Sequence, residues 1–209
     1  MSKKKKRAIV FDLDNTIYPV ASIGNKLFSE VYKLIEQDGR YTGSLEEIKE
    51  NIQKKPFQVV AKEFHFNGDL TAKALELLSD LEYSDTILPF DDYLLTKDID
   101  CLKFLVTTGF TKLQWSKIEK LGLQKYFEAC YVVDPAVSQQ TKKDVFMEIM
   151  AEYRLKPEEV LVVGDDIHSE IKAGRELGME TVVYDYAGIL DGLQGYHVIT
   201  HYDKLETFI

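Results

Sequence analysis

The sequence predicts an α/β fold, a parallel sheet with a bundle of helices inserted behind its first strand. Three observations carry this reading. A β-branched and aromatic run, Ile9-Val-Phe11, ends abruptly in polar residues. From about Ala21 to Tyr83 the apolar residues recur with helical spacing. After Pro89, apolar strands and amphipathic helices alternate, which is the pattern of a parallel sheet. At 209 residues the chain can bury a full core, as one α/β domain with an insertion or as two small domains.

Taken in order, Lys3-Lys-Lys-Lys-Arg7 is a basic run expected to be a solvated tail, with nuclear localisation or phosphate binding as alternatives. The first strand follows and stops at Asp12 and Asp14. Ile23, Leu27, Val31, Leu34 and Ile35 then line one helix face. Ser44 and Glu47 have the spacing of a capping box, opening a helix through Leu45, Ile48 and Ile52. Pro56 suits the first turn of a helix carrying Phe57, Val60, Ala61 and Phe64. Asp69 is expected to cap a fourth, carrying Leu70, Ala74, Leu77, Leu78 and Leu81. The aromatic and leucine stripes are expected to be core.

Phe104-Leu-Val106 reads as the second strand, stopping at Thr107-Thr-Gly109. Thr111 with Gln114 is expected to cap a helix that runs through Leu121 and ends at Gly122. Tyr131-Val-Val133 forms a third strand leading to Asp134-Pro135. A helix carrying Val145, Phe146, Ile149, Met150 and Tyr153 comes next. Val160-Leu-Val-Val163 then runs straight into Gly164-Asp-Asp166. A helix with Ile171, Gly174 and Leu177 closes at Gly178, and Thr181-Val-Val183 and His197-Val-Ile199 supply further strands. No internal repeat is visible.

The net charge of −9 argues against a nucleic-acid groove or an anionic membrane surface as the main partner. A small anionic substrate would need a local cation to offset that field. Cys101 and Cys130 have no paired-ligand spacing, so free thiols in a reducing, cytoplasmic compartment are expected. No apolar run approaches membrane-spanning length, and the N-terminus lacks the apolar core of a signal peptide. The histidines (His65, His168, His197, His201) share no metal-ligand spacing, and His168 alone lies near the polar strand ends.

Two carboxylates one residue apart at the end of a core strand repel each other, so folding alone would not select them. Held together, they share a cation or split their protonation states. Ligands of an open parallel sheet bind outside the carboxyl ends of its strands. Here three strands end there in Asp12 with Asp14, in Thr107 and in Asp165, and the loop before the helix near residue 143 adds Lys142 and Lys143. Carboxylates without His or Cys suit Mg²⁺ better than Zn²⁺.

Asp12-Leu-Asp14-Asn-Thr16 resembles the first motif of the haloacid dehalogenase-like superfamily, Leu105-Val-Thr107 its second, and Val163-Gly-Asp165-Asp-Ile-His-Ser-Glu170 its fourth. The third motif, usually a Lys followed by Pro, is represented by Gln139-Gln-Thr-Lys-Lys-Asp144. Its usual Lys position falls nearer Gln140, so Lys142 is the first choice and Lys143 the second. The resemblance implies a Rossmann-like core over residues 1–19 and 86–209, with a helical cap over 20–85. It implies a Mg²⁺-dependent phosphatase of small phosphomonoesters. Asp12 would be the nucleophile and a metal ligand. Asp14 would be the acid and base with a raised pKa, touching the metal through its backbone carbonyl. Thr107, Thr108 and Gly109 would hold the phosphoryl oxygens, Lys142 would neutralise them, and Asp165 would complete the metal shell. Asp166 is a second candidate ligand. Glu170 stands where Asp is common and is expected to orient the site.

Asp14-Asn-Thr-Ile-Tyr-Pro19 further resembles the pyrimidine 5′-nucleotidase branch, which makes nucleoside 5′-monophosphates the leading substrate guess. Sugar-phosphate and phosphoglycolate phosphatases, or a phosphomutase, are the alternatives on the same fold. From another class, a receiver-like or catalytically silent phospho-binding protein also gathers Asp, Thr and Lys at a sheet edge. The partner expected is a small phosphorylated metabolite, with monomer and dimer both open.

Overall fold

The computed structural model describes residues 5–190 and 192–209. Its six strands are β1 (Ala8–Phe11), β2 (Leu102–Thr108), β3 (Ala129–Val133), β4 (Val160–Gly164), β5 (Glu180–Tyr184) and β6 (His197–Ile199). They form one parallel sheet in the order β3-β2-β1-β4-β5-β6. Successive residues alternate between two apolar faces. Ile9, Phe11, Leu105, Leu161 and Val163 feed one core, while Val10, Phe104, Val106, Val160 and Val162 feed the other. Helices on both sides cover these faces, as a sheet buried on both surfaces requires.

Between β1 and β2 lie α1 (Gly24–Leu27), α2 (Ser29–Asp38), α3 (Leu45–Ile52), α4 (Phe57–Glu63) and α5 (Gly68–Ser79). The first expected helix is broken into α1 and α2 at Phe28. Periodicity misses the break because Ile23, Leu27, Val31 and Ile35 remain buried on one face through it. The capping box of Ser44 and Glu47 forms as read. The cap of α5 is Asn67, not Asp69. The Asn67 side chain accepts from Leu70 N–H at 3.0 Å, and Asp69 instead sits in the first turn, paired with Lys73 at 2.9 Å. Asn67 holds the extended backbone that a cap needs, and Asp69 is already helical.

The remaining helices are α6 (Thr111–Lys120), α7 (Lys142–Glu152) and α8 (Glu170–Glu176). The Thr111–Gln114 cap does not form. The Thr111 N–H and hydroxyl both donate to Asp134 Oδ2 at 2.8 Å, so the helix start is capped from the end of β3. Gln114 is thereby released to turn inward. α7 opens on a capping box of Thr141 and Asp144, one turn ahead of its apolar stripe.

The basic run is not a solvated tail throughout. Lys3 and Lys4 lie outside the described residues. Lys6 is 5% exposed, donating to the Glu158 carbonyl at 2.9 Å and pairing with Glu180 at 2.9 Å. It anchors the start of β1 beneath β4 and β5. Among the described residues no helix is long and apolar enough to cross a membrane, and both cysteines are free thiols.

Candidate active site

Sheet register brings the polar strand ends to one height. Phe11 pairs with Leu105 on one side and with Val163 on the other. Asp12 is one residue beyond that rung, and Thr107 and Asp165 are two beyond it. The chain builds the sheet from β1 outward through β2 to β3 and then crosses back to lay β4 on the other side of β1, so a crevice opens at that reversal, where ligands bind in doubly wound sheets. A cavity of about 310 Å³ lies there, walled by these strand ends and by residues of α1–α5 including Phe28, Ile52, Phe57 and Leu78.

Asp12 is buried, and its N–H donates to Val163 O at 3.0 Å. Lys142, the first residue of α7, reaches Asp12 Oδ1 at 2.6 Å and Glu170 Oε2 at 2.7 Å. Lys143 points the other way and pairs with Glu176 at 2.8 Å on the surface. Carboxylate oxygens of Asp12, Asp165 and Glu170 lie within 4.8 Å of one another. Glu170 is laid across Gly164, where a Cβ would stand 2.1 Å from its Oε1, so only glycine admits it at the end of β4. The same oxygen accepts from Asp166 N–H at 2.8 Å. The Asp166 carboxylate itself takes His168 N–H at 2.7 Å and stays outside the cluster, and His168 is exposed.

Burial pushes the Asp12 carboxyl up, and despite the opposing Lys142 it stands at about 7, with Glu170 adding to the rise. Burial, Asp12 and Glu170 together push Asp165 up to about 8. Burial would lower Lys142, but the two carboxylates it touches hold it above the usual lysine range. Three crowded acids share one cation, and all their donors are hard oxygens. The residues present therefore fit a divalent cation such as Mg²⁺.

Asp14 has a different environment. Lys117 on α6 reaches its Oδ1 at 2.8 Å and Oδ2 at 3.0 Å. Gln114 Nε2 donates to Oδ2 at 3.0 Å, and the Tyr18 hydroxyl makes a short hydrogen bond to Oδ1. Burial raises Asp14, but Lys117, Tyr18 and Gln114 outweigh it and hold the carboxyl below its usual range. The raised pKa expected from anionic crowding is thus corrected, because Asp14 is turned from the acidic cluster toward a lysine. Asn15, in the left-handed region at φ 55°, makes this turn and accepts from Val20 N–H at 3.1 Å.

Thr107 is buried, and its hydroxyl oxygen lies 2.7 Å from Gln114 Nε2. Thr108 O also accepts from that nitrogen at 3.1 Å, and Gly109 N–H donates to Val133 O at 3.0 Å. Lys117 and Gln114 are the site residues that sequence reasoning missed. Their signal was present. The buried face of α6 reads Leu113, Gln114, Lys117, Ile118, so two polar side chains occupy positions that amphipathicity assigns to apolar ones.

The model of the haloacid dehalogenase-like hydrolase family matches residues 6–178. A glyceraldehyde 3-phosphate phosphatase of Methanopyrus kandleri is 24% identical over 196 residues, 84% of this chain and 82% of that protein. The human N-acylneuraminate-9-phosphatase is 24% identical over 212 residues, covering 88% of this chain and 84% of its own. A haloacid dehalogenase-like hydrolase from Streptococcus pneumoniae superposes with a TM-score of 0.73 at 16% identity, over 98% of this chain and 99% of its own. With the family model running from Lys6 past the end of α8, through β1 to β4 and every strand end of the site, the chain belongs to the haloacid dehalogenase-like hydrolases.

Proposed function

We propose that this chain is a Mg²⁺-dependent phosphatase of small phosphomonoesters that works through an aspartyl-phosphate on Asp12. The observation that carries the reading is the buried Asp12–Lys142 contact at 2.6 Å inside the three-carboxylate cluster. Lys142 occupies Oδ1 of Asp12, and among the described residues no hydrogen bond reaches Oδ2, which is available to attack phosphorus. Asp12, Asp165 and the Asp14 carbonyl would hold Mg²⁺, with Glu170 orienting Lys142. The cation would mask phosphoryl charge and so admit an anionic nucleophile.

Asp12 Oδ2 forms the new bond to phosphorus as the ester oxygen leaves. Asp14 gives that oxygen its proton, then takes one from the water that releases inorganic phosphate. Asp14 rests ionised; the negative charge of an arriving phosphate monoester would raise it enough to take up, from the monoester itself or from solvent, the proton that it then gives to the leaving oxygen. Thr107 and Thr108 line the cavity and would donate to the phosphoryl oxygens, while Gly109, whose N–H is engaged by Val133 O, would serve by letting the substrate approach the backbone closely. A receiver-like role is disfavoured, since such domains lack an insertion and place their acceptor on a later strand.

Residues 20–85 would act as a cap on a core of residues 1–19 and 86–209. Two contacts tie the connections between them. Phe90 N–H donates to Ile17 O at 2.9 Å, and Tyr18 is fixed to Asp14. The relatives named for glyceraldehyde 3-phosphate and N-acylneuraminate 9-phosphate support non-nucleotide phosphate esters as the first class to assay. Nucleoside 5′-monophosphates are the second reading, favoured by Phe28 and Phe57 in the cavity wall. Phe28 also packs on Tyr32, and Phe57 on Phe66, so both serve the bundle core as well.

The test is hydrolysis of a panel of triose, sugar, glycolate and pyrimidine phosphates, with Mg²⁺ and with excess chelator. Turnover is expected only with the metal. Full activity in chelator would contradict the metal-dependent mechanism. A kcat/KM for pyrimidine monophosphates above that for the sugar phosphates would promote the second reading.

A further inference from the structure

Gln114 is 1% exposed, and its two polar atoms are treated unequally. Its nitrogen lies within hydrogen-bond distance of three acceptors: Asp14 Oδ2 (3.0 Å), Thr107 Oγ1 (2.7 Å) and Thr108 O (3.1 Å). Its oxygen Oε1 is buried with no hydrogen-bond partner among the described residues. The amide cannot be reversed to relieve this, because a carboxylate and a main-chain carbonyl both demand a donor. A core residue chosen for packing would not leave a carbonyl oxygen orphaned. One chosen to present a donor to these acceptors would.

The direction of these bonds has a consequence for Thr107. An amide N–H only donates, so Thr107 Oγ1 accepts from Gln114. Its single hydroxyl hydrogen is then free to be donated elsewhere, toward the cavity that Thr107 lines. Lys117, three residues further along the same face of α6, is also buried and grips both oxygens of Asp14. We infer that Gln114 and Lys117 are a positioning pair for the phosphatase reaction. Gln114 orients the Thr107 hydroxyl to donate to the phosphoryl group, and Lys117 fixes the Asp14 carboxylate on the leaving-group side. One helix, starting two residues after Thr108-Gly109, thus sets two functions of the site. This inference rests on the phosphatase reading above.

The two positions are separable by leaving group. Wild type, Gln114→Glu, Gln114→Met and Lys117→Met are assayed with Mg²⁺ on p-nitrophenyl phosphate and on an alkyl phosphate such as glyceraldehyde 3-phosphate. Circular dichroism and Tm identify the folded variants. The phenolate leaves without a proton and the alkoxide does not. Lys117→Met is therefore expected to lower kcat/KM, which reads the phosphoryl transfer and not the later hydrolysis common to both esters, by about 100-fold on the alkyl ester and by about tenfold or less on the aryl ester. Gln114→Glu reverses the hydrogen bond to Thr107 and also sets a carboxylate against Asp14 Oδ2, so it is expected to lower kcat/KM on both esters, by about 100-fold on the aryl ester and by at least as much on the alkyl ester. Gln114→Met keeps the volume without the donor and should fall between it and wild type. Equal losses on both esters for Lys117→Met, or Gln114 variants within threefold of wild type, would overturn the inference while an active wild type preserved the phosphatase reading. If Lys117→Met does not fold, Lys117→Arg carries the same test, with a smaller ester-selective loss expected. A wild type inert toward every ester would remove both.

Discussion

The two edges of the sheet both bury lysine, one at the amino edge and two at the carboxyl edge, and the difference between them separates folding chemistry from site chemistry. At the amino edge Lys6 meets one carboxylate, Glu180, and one main-chain carbonyl, while neighbouring Arg7 pairs with Glu159 at 3.2 Å near solvent. At the carboxyl edge Asp12, Asp14, Asp165 and Glu170 gather, among the described residues, around Lys117 and Lys142 alone. Breaking a buried pair is costly because a charge is left uncompensated, and here the excess is built in. Excess buried charge of one sign persists when a ligand of the other sign is part of the working state.

The sharpest way to break this comparison is Asp12→Asn. It changes almost no volume, so the fold should survive while turnover falls on the order of a thousandfold or more, measured as kcat on the best ester. A rate within tenfold of wild type, with Mg²⁺ binding retained, would sink the covalent mechanism.

Next in size is the contrast of adjacent lysines. Lys142→Ala removes the cation that pairs with Asp12 and Glu170 and should lower kcat/KM about 100-fold at saturating Mg²⁺. Lys143→Ala breaks an exposed pair with Glu176 and should leave it within about twofold. Equal rates in the two variants would remove the third motif from the mechanism.

Metal and pH sharpen the comparison without any turnover assay. Asp12 and Asp165 titrate high in the folded protein, at about 7 and about 8. The metal-free folded state thus holds protons that the unfolded chain has already released. These two groups accordingly lower stability as pH rises from the unfolded carboxylate range through 8. Mg²⁺ binds the ionised form, so the rise in Tm on adding Mg²⁺ should be larger at pH 8 than at pH 6. A shift that shrinks with pH would place the cation elsewhere.

The smallest effect belongs to the amino edge. Lys6→Ala should cost about 2 kcal/mol of stability, read from denaturant unfolding, through its charged hydrogen bonds. It should leave kcat and the Mg²⁺ shift unchanged. Loss of turnover without loss of stability would mean that the two edges are coupled through β1.

Much of this was legible before any coordinates. Alternating strands and helices specify the sheet because a parallel pair needs a crossover, and strands buried on both faces must be apolar throughout. Asp12, Thr107 and Asp165 could be aligned from sequence because each ends an apolar run, and strand ends share an edge. Local capping chemistry at Ser44 and Glu47 was equally visible. Asp69 and Thr111 were misread because a competing side chain, Asn67 in one case and Asp134 in the other, was better placed to cap. For α6 that partner comes from the far end of β3, which no local pattern contains. Lys6 is a charge-run residue whose burial depends on Glu180, at the opposite end of the chain. Only tertiary structure decided that Lys142 rather than Lys143 faces Asp12, because a one-residue step turns a helix by 100° and the sequence does not state its rotation. It also decided that Asp14 is an ionised group gripped by Lys117 and Gln114. Spacing along the chain tells which carboxylates are neighbours, but the charge each one carries depends on what the fold brings from a hundred residues away.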